Sequence, residues 1–167
     1  MEPSVLGRIS PGIKVSVERV TFPELVADGT LFALSDDSYW LDTGTPQAYI
    51  EAHRDVLEGR RSLELHDSVT AGNWIDHRAA IDGATVTGSA IDRDVVIEDG
   101  AVVENSVVLT GARICAGATV RDSVIGPRAT VGAGALLEAT CVIGFDVLVP
   151  GGSILRGDVR LGGPAQA

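Results

Sequence analysis

From Ile75 to Leu161 an aliphatic residue returns at every fifth or sixth position. The marks are Ile75, Ile81, Val86, Ile91, Ile97, Val103, Leu109, Ile114, Val120, Ile125, Val131, Leu137, Ile143, Val149, Leu155 and Leu161. From Ile81 onward the residue two places earlier is small or β-branched, as in Ala84, Ser89, Val107, Ala112, Ser123 and Cys141. No amphipathic helix and no alternating hairpin holds that phase for so long. A period near six predicts a parallel β-helix built from hexads, each one short strand and one turn. Three hexads close a triangular coil, so the marks amount to roughly five coils stacked at the parallel-strand spacing of about 4.8 Å. The aliphatic mark points into the prism and the small residue fits beside it. Five-residue steps at 82–86, 87–91, 110–114 and 121–125 predict tightened corners, and Trp74 is expected to cap the prism at its entry.

The first sixty residues follow another pattern. Val15–Glu18 and Leu31–Leu34 have strand character, and Phe22–Ala27 predicts a short helix ended by Gly29. A second helix is expected over Gln47–Leu57, with Thr45 as N-cap, Pro46 in its first turn and Gly59 just past its end.

Two resemblances follow from these residues. Ile75–Leu161 resembles the left-handed β-helix domains of sugar nucleotidyltransferases and hexapeptide acyltransferases, which supplies the handedness against the general right-handed rule. Ser16-Val17-Glu18 with Phe22-Pro23, then Tyr39-Trp40-Leu41-Asp42-Thr43-Gly44-Thr45-Pro46 and Tyr49, resemble the closing segment of a nucleotide-sugar pyrophosphorylase catalytic domain. Joined to Glu104–Leu109 and Arg121–Gly126, the whole resembles the mannose-1-phosphate guanylyltransferase family.

The resemblance implies a mainly β chain. It would comprise residues 1–60 as a small α/β remnant of a nucleotidyltransferase domain, 61–74 as a connector, 75–163 as the left-handed β-helix and 164–167 as a tail. The implied reaction joins a sugar 1-phosphate to a nucleoside triphosphate and releases pyrophosphate, most closely GDP-mannose synthesis. It implies a magnesium ion that neutralises charge on the phosphates. Asp42 falls at a metal-holding aspartate, a hard oxygen donor suited to magnesium. Trp40 and Glu18 fall at positions lining the sugar pocket. The family's glycine-rich triphosphate loop, its second metal aspartate and its phosphate-contacting lysine have no counterpart here. The chain is therefore expected to be the C-terminal portion of such an enzyme and inactive alone, its β-helix serving oligomerisation or regulation. A stand-alone assembly scaffold is the alternative. A hexapeptide acyltransferase would need a base, for which His77 near the first coil is the only candidate; a solvated turn explains His77 better.

Charge and composition narrow the partners. The net charge is −10 over 167 residues, Lys14 is the only lysine, and the thirteen basic residues form no stripe for a phosphate backbone, which argues against nucleic acid. No apolar run approaches the ~20 residues of a membrane span, and no basic-then-apolar leader opens the sequence. Cys115 and Cys141 are the only cysteines. Cys141, at a small interior position, fits a packing thiol rather than half of a disulfide, in keeping with a reducing cytoplasm. A homo-oligomer or a separate catalytic half is the expected partner.

Overall fold

The computed structural model describes residues 2–61 and 69–162. Parts of the expected connector and tail, His66 among them, lie outside those residues. The chain divides into two compact units, Met1–Trp40 and Leu41–Ala167.

The second unit holds helix α2 (Pro46–Leu57) and the left-handed β-helix, which has, among the described residues, sixteen strands of two or three residues in three parallel sheets. Face 1 stacks Trp74–Ile75, Ala90–Ile91, Val107–Val108, Val124–Ile125, Val142–Ile143 and Arg160–Leu161. Face 2 stacks Ala80–Ile81, Val96–Ile97, Arg113–Ile114, Thr130–Val131 and Leu148–Val149. Face 3 stacks Thr85–Thr87, Val102–Glu104, Thr119–Arg121, Leu136–Glu138 and Ile154–Arg156. Ile91, Ile97, Val103, Ile114, Val120, Ile125, Val131 and Leu137 are completely buried. Each such side chain contributes about 1.5–3 kcal/mol of hydrophobic stabilisation.

One mark is displaced from its expected place. Val108, not Leu109, pairs in register with Ile91 and Ile125 and is completely buried. Its small partner is therefore Ser106, and the short step runs over 104–108. The reason lies in the corner between faces 3 and 1. Gly88 (φ +59°), Asn105 (φ +47°) and Asp122 (φ +46°) each turn that corner with a single left-handed residue. Glycine takes that conformation freely, and Asn and Asp tolerate it better than other side chains. In the next coil the same corner spends two left-handed residues, Ala139 and Thr140, and the step lengthens to six.

Trp74 does not cap the prism. Ile75 points inward, so strand alternation turns Trp74 to the outside of face 1. Asn73 closes that end instead: its Oδ1 accepts from Ser89 N at 3.0 Å and its Nδ2 donates to Val86 O at 3.1 Å. From there a hydroxyl ladder runs up the interior. Ser106 N donates to Ser89 Oγ, Ser123 N to Ser106 Oγ (3.1 Å each) and Cys141 N to Ser123 Oγ at 3.2 Å. Each hydroxyl also donates to the carbonyl two residues earlier in its own coil, at 2.7–2.9 Å. Cys141 is a free, buried thiol whose pKa is raised by that burial.

Helix α2 spans Pro46–Leu57. Thr45 is its N-cap, with Oγ1 accepting from Ala48 N at 3.2 Å, and Gly59 (φ +72°) follows its end. The Thr45→Ala variant should lose about 1 kcal/mol by urea denaturation, and Thr45→Ser should recover most of it.

In the first unit, α1 occupies Phe22–Ala27 as expected, and Gly29 (φ +65°) follows it. The strands expected at Val15–Glu18 and Leu31–Leu34 do not form. Val17–Thr21 is instead a single π-helical turn leading into α1, and Leu31–Leu34 has no regular structure. A strand needs a hydrogen-bonded neighbour, and none is present among the described residues of this unit. Phe32 and Leu34 are 86 % and 94 % exposed. No helix among the described residues is long and apolar enough to cross a membrane.

Candidate functional site

Asp42 stands four residues before α2 and is exposed. Its Oδ1 accepts from Gly44 N at 3.0 Å, closing a small side-chain turn. Thr45 then caps the helix, so the Asp42–Pro46 segment is held by local hydrogen bonds ahead of α2. The described residues contain no cluster of three His, Cys, Asp or Glu side chains able to hold a metal ion. One carboxylate with an oxygen committed to Gly44 does not fit a magnesium site by itself, because the ion demands several oxygen ligands in near-octahedral geometry. In the first unit, Glu18 is exposed within the π-helical turn and Trp40 is 79 % exposed.

Helix α2 lies against face 1. Outward-pointing Ala90, Val107 and Val124 are buried there despite facing away from the prism. Between the helix and the face runs a cleft of about 490 Å³, bounded by Ala52, His53 and Val56 on one side and Trp74, Val107 and Asp92 on the other. His53 Nδ1 lies 2.8 Å from Tyr49 O, one turn back, and the two rings sit 4.6 Å apart. Asp92 is partly buried, which opposes its ionisation. The Thr110 hydroxyl and amide and the Arg93 amide all donate to it, and with the Arg93 charge they hold its carboxyl below the usual range. At the C-terminal end of the helix, Asp55 is 2 % exposed and its Oδ1 lies 3.0 Å from Arg60 Nη1. Arg60 also reaches Glu58 and Glu51. Sequence patterning did not anticipate this buried acid; a basic residue five positions beyond Asp55 was the available signal.

His77 occupies the turn after the first strand, with its side chain 74 % exposed and its ring 3.6 Å from Asp76 Oδ1. That is the solvated turn position expected from its place outside the hexad marks.

Residues 69–162 match the family model described as the GMPPB C-terminal domain. The chain belongs to that family. The GMPPB C-terminal domain assignment covers the whole described β-helix. Among related proteins, a mannose-1-phosphate guanylyltransferase of Mycobacterium tuberculosis is 37 % identical over 99 residues, covering 52 % of this chain and 26 % of that protein. A probable mannose-1-phosphate guanylyltransferase 3 of Oryza sativa is 36 % identical over 102 residues, covering 58 % and 27 %. The matches thus span about a quarter of the length of these relatives. Among solved structures, the acetyltransferase domain of PglB from Neisseria gonorrhoeae is 18 % identical and covers 84 % of this chain and 89 % of that one. Its TM-score is 0.31, so it carries no argument.

Proposed function

We propose that this chain is the C-terminal portion of a sugar-1-phosphate nucleotidyltransferase that makes GDP-mannose from GTP and mannose 1-phosphate. The observation that carries the reading is the membership of residues 69–162 in the GMPPB C-terminal domain family, joined to the Trp40–Pro46 segment ahead of α2. In this reading residues 1–60 complete a catalytic domain, and the β-helix serves as its platform for assembly or regulation. Asp42 supplies one of two carboxylates to magnesium, and Trp40 and Glu18 border the sugar pocket. The second carboxylate and the triphosphate-binding loop come from elsewhere. Seating α2 on face 1 ties the Asp42 turn to the rigid coils, so the β-helix bears on where that carboxylate sits. The reading places the enzyme in a reducing, cytoplasmic compartment, which suits two unpaired cysteines.

The test mixes this chain with the catalytic portion of the Mycobacterium tuberculosis mannose-1-phosphate guanylyltransferase, cut ahead of the segment corresponding to residues 1–60, so that the Asp42 carboxylate comes from this chain alone. The expected result is binding, together with pyrophosphate release from GTP and mannose 1-phosphate that neither piece gives alone. The Asp42→Asn variant should bind equally and lower that release by about two orders of magnitude, the scale of losing part of a metal's charge stabilisation. Absence of binding to the catalytic portion would overturn the reading. Turnover indifferent to Asp42→Asn would remove Asp42 from it.

A further inference from the structure

Face 3 carries two outward columns that are open to solvent. The first is uncharged: Thr85, Val102, Thr119, Leu136 and Ile154 stand in register, with Ile154 65 % exposed. The second, two residues on, continues past Thr87 with Glu104, Arg121, Glu138 and Arg156, acid and base alternating from coil to coil. Within the chain this column is already paired. Arg121 bridges Glu104 at 2.7 Å and Glu138 at 3.1 Å, and Arg156 reaches Glu138 at 3.1 Å. The face is thus locally neutral on a chain of net charge −10, so it is a surface where a second copy meets little repulsion.

From this pattern we infer that face 3 is a self-docking surface, which a second copy of this chain covers with its own face 3, the two β-helices antiparallel. A two-fold axis lying in the interface along the strand direction sets each column against itself in reversed order. Glu104 then faces Arg156 and Arg121 faces Glu138 of the other copy, so all four positions meet an opposite charge. The same operation sets Val102 against Ile154 and Thr119 against Leu136. A parallel arrangement in register would set Glu against Glu and Arg against Arg. The alternation therefore selects one orientation, as interface charges do when they fix register. A two-fold interface of this kind is closed and stops at a dimer.

The overlap is four coils, roughly 20 by 20 Å or ~400 Å² from each copy at ordinary strand dimensions. That is below the ~800 Å² per partner of a standard stable interface. The dimer should therefore form and dissociate with concentration. The inference stands on the sheet face alone and does not depend on the nucleotidyltransferase reading.

The test is sedimentation equilibrium of the full chain from about 1 µM to 1 mM, a range spanning dimers of moderate to weak affinity. A reversible monomer–dimer equilibrium is expected. Glu138→Arg sets base against base across the axis and should weaken the dimer at least ~10-fold, the scale of one misplaced interfacial charge. Adding Arg121→Glu restores every cross-copy pair while spoiling the alternation within each copy, so the double variant should return to within about three-fold of the original. Ile154→Lys, at the exposed end of the uncharged column, should also weaken association. Circular dichroism melts confirm that each variant is folded. A chain monomeric throughout the range, a trimer, or a dimer indifferent to Glu138→Arg and Ile154→Lys would overturn the inference. So would a double variant no stronger than Glu138→Arg alone.

Discussion

Val108→Asp should abolish cooperative folding of the β-helix, whereas Leu109→Asp, one residue on, should leave it folded. Val108 is completely buried between Ile91 and Ile125 in the central column. An aspartate there places a carboxylate among aliphatic side chains with no base within the prism, at a cost of several kcal/mol. The loss is a large fraction of the 5–15 kcal/mol that holds an ordinary domain. The site is also central, and a repeat structure transmits stability only between neighbouring coils, so a failed middle coil parts the stack. Leu109 is half-buried at the edge of the cleft under α2, where a charge can reach water. Its replacement should cost about 1 kcal/mol or less, as for an accessible position. Urea denaturation followed by far-ultraviolet circular dichroism separates the two. The reverse order would mean that the column is shifted by one residue from the register described.

The same pair shows how far patterning reaches. Fifteen of the sixteen aliphatic marks are the inward residues of the strands, because a hexad that buries one face leaves no freedom in its phase. At 107–109 three aliphatic residues stand in a row, and hydropathy alone does not choose among them. The small-residue column does. Thr87-Gly88-Ser89-Ala90-Ile91, Glu104-Asn105-Ser106-Val107-Val108 and Arg121-Asp122-Ser123-Val124-Ile125 align as one repeated unit, whose serine is always two places before the inward residue. Reading that serine as a structural position rather than as a small residue would have fixed Val108. Trp74 departs from its expected place for a related reason. A large apolar residue at the end of a column suggests a plug, but the strand's own alternation, with Ile75 inward, had already turned it outward.

The site was less legible than the fold. Helices α1 and α2 were readable because their signals are local: Thr45 and Pro46 start one, and Gly29 and Gly59 follow the two ends. The strands at Val15–Glu18 and Leu31–Leu34 were not, since a strand's existence depends on a neighbour that its own residues cannot specify. Asp42 shows the same limit in its chemistry. Its sequence setting carries a resemblance to a metal ligand, while its local hydrogen bond to Gly44 is that of a turn. Both follow from one carboxylate before Gly-Thr-Pro, and only the groups brought to it decide between them.

Ser123→Ala should destabilise the β-helix by about 1–3 kcal/mol, more than the loss of one oxygen atom from a core suggests. Among the described residues, Ser123 Oγ is the one acceptor for the Cys141 amide, which donates to it at 3.2 Å from the coil above. Alanine would fill nearly the same space but leave that N–H unpaired inside the prism, and a buried donor without an acceptor carries its full desolvation cost. Ser106→Ala should act alike through the Ser123 amide, at 3.1 Å from Ser106 Oγ. By contrast Ala118→Ser, at a buried small position on another column, adds a hydroxyl with no amide waiting for it and should not stabilise. Ser123→Cys should recover part of the loss, because sulfur is a weak acceptor of similar shape. Urea midpoints rank the four variants, and hydrogen exchange at the Cys141 amide reports the broken rung directly, since Ser123→Ala should speed exchange there while the amides of face 2 stay protected. Equal stability of Ser123→Ala and the parent would mean that the ladder only fills space. The expected ranking would instead make it the device that locks coil to coil: the aliphatic column is indifferent to which residue it stacks on, whereas each hydroxyl accepts from one amide and no other.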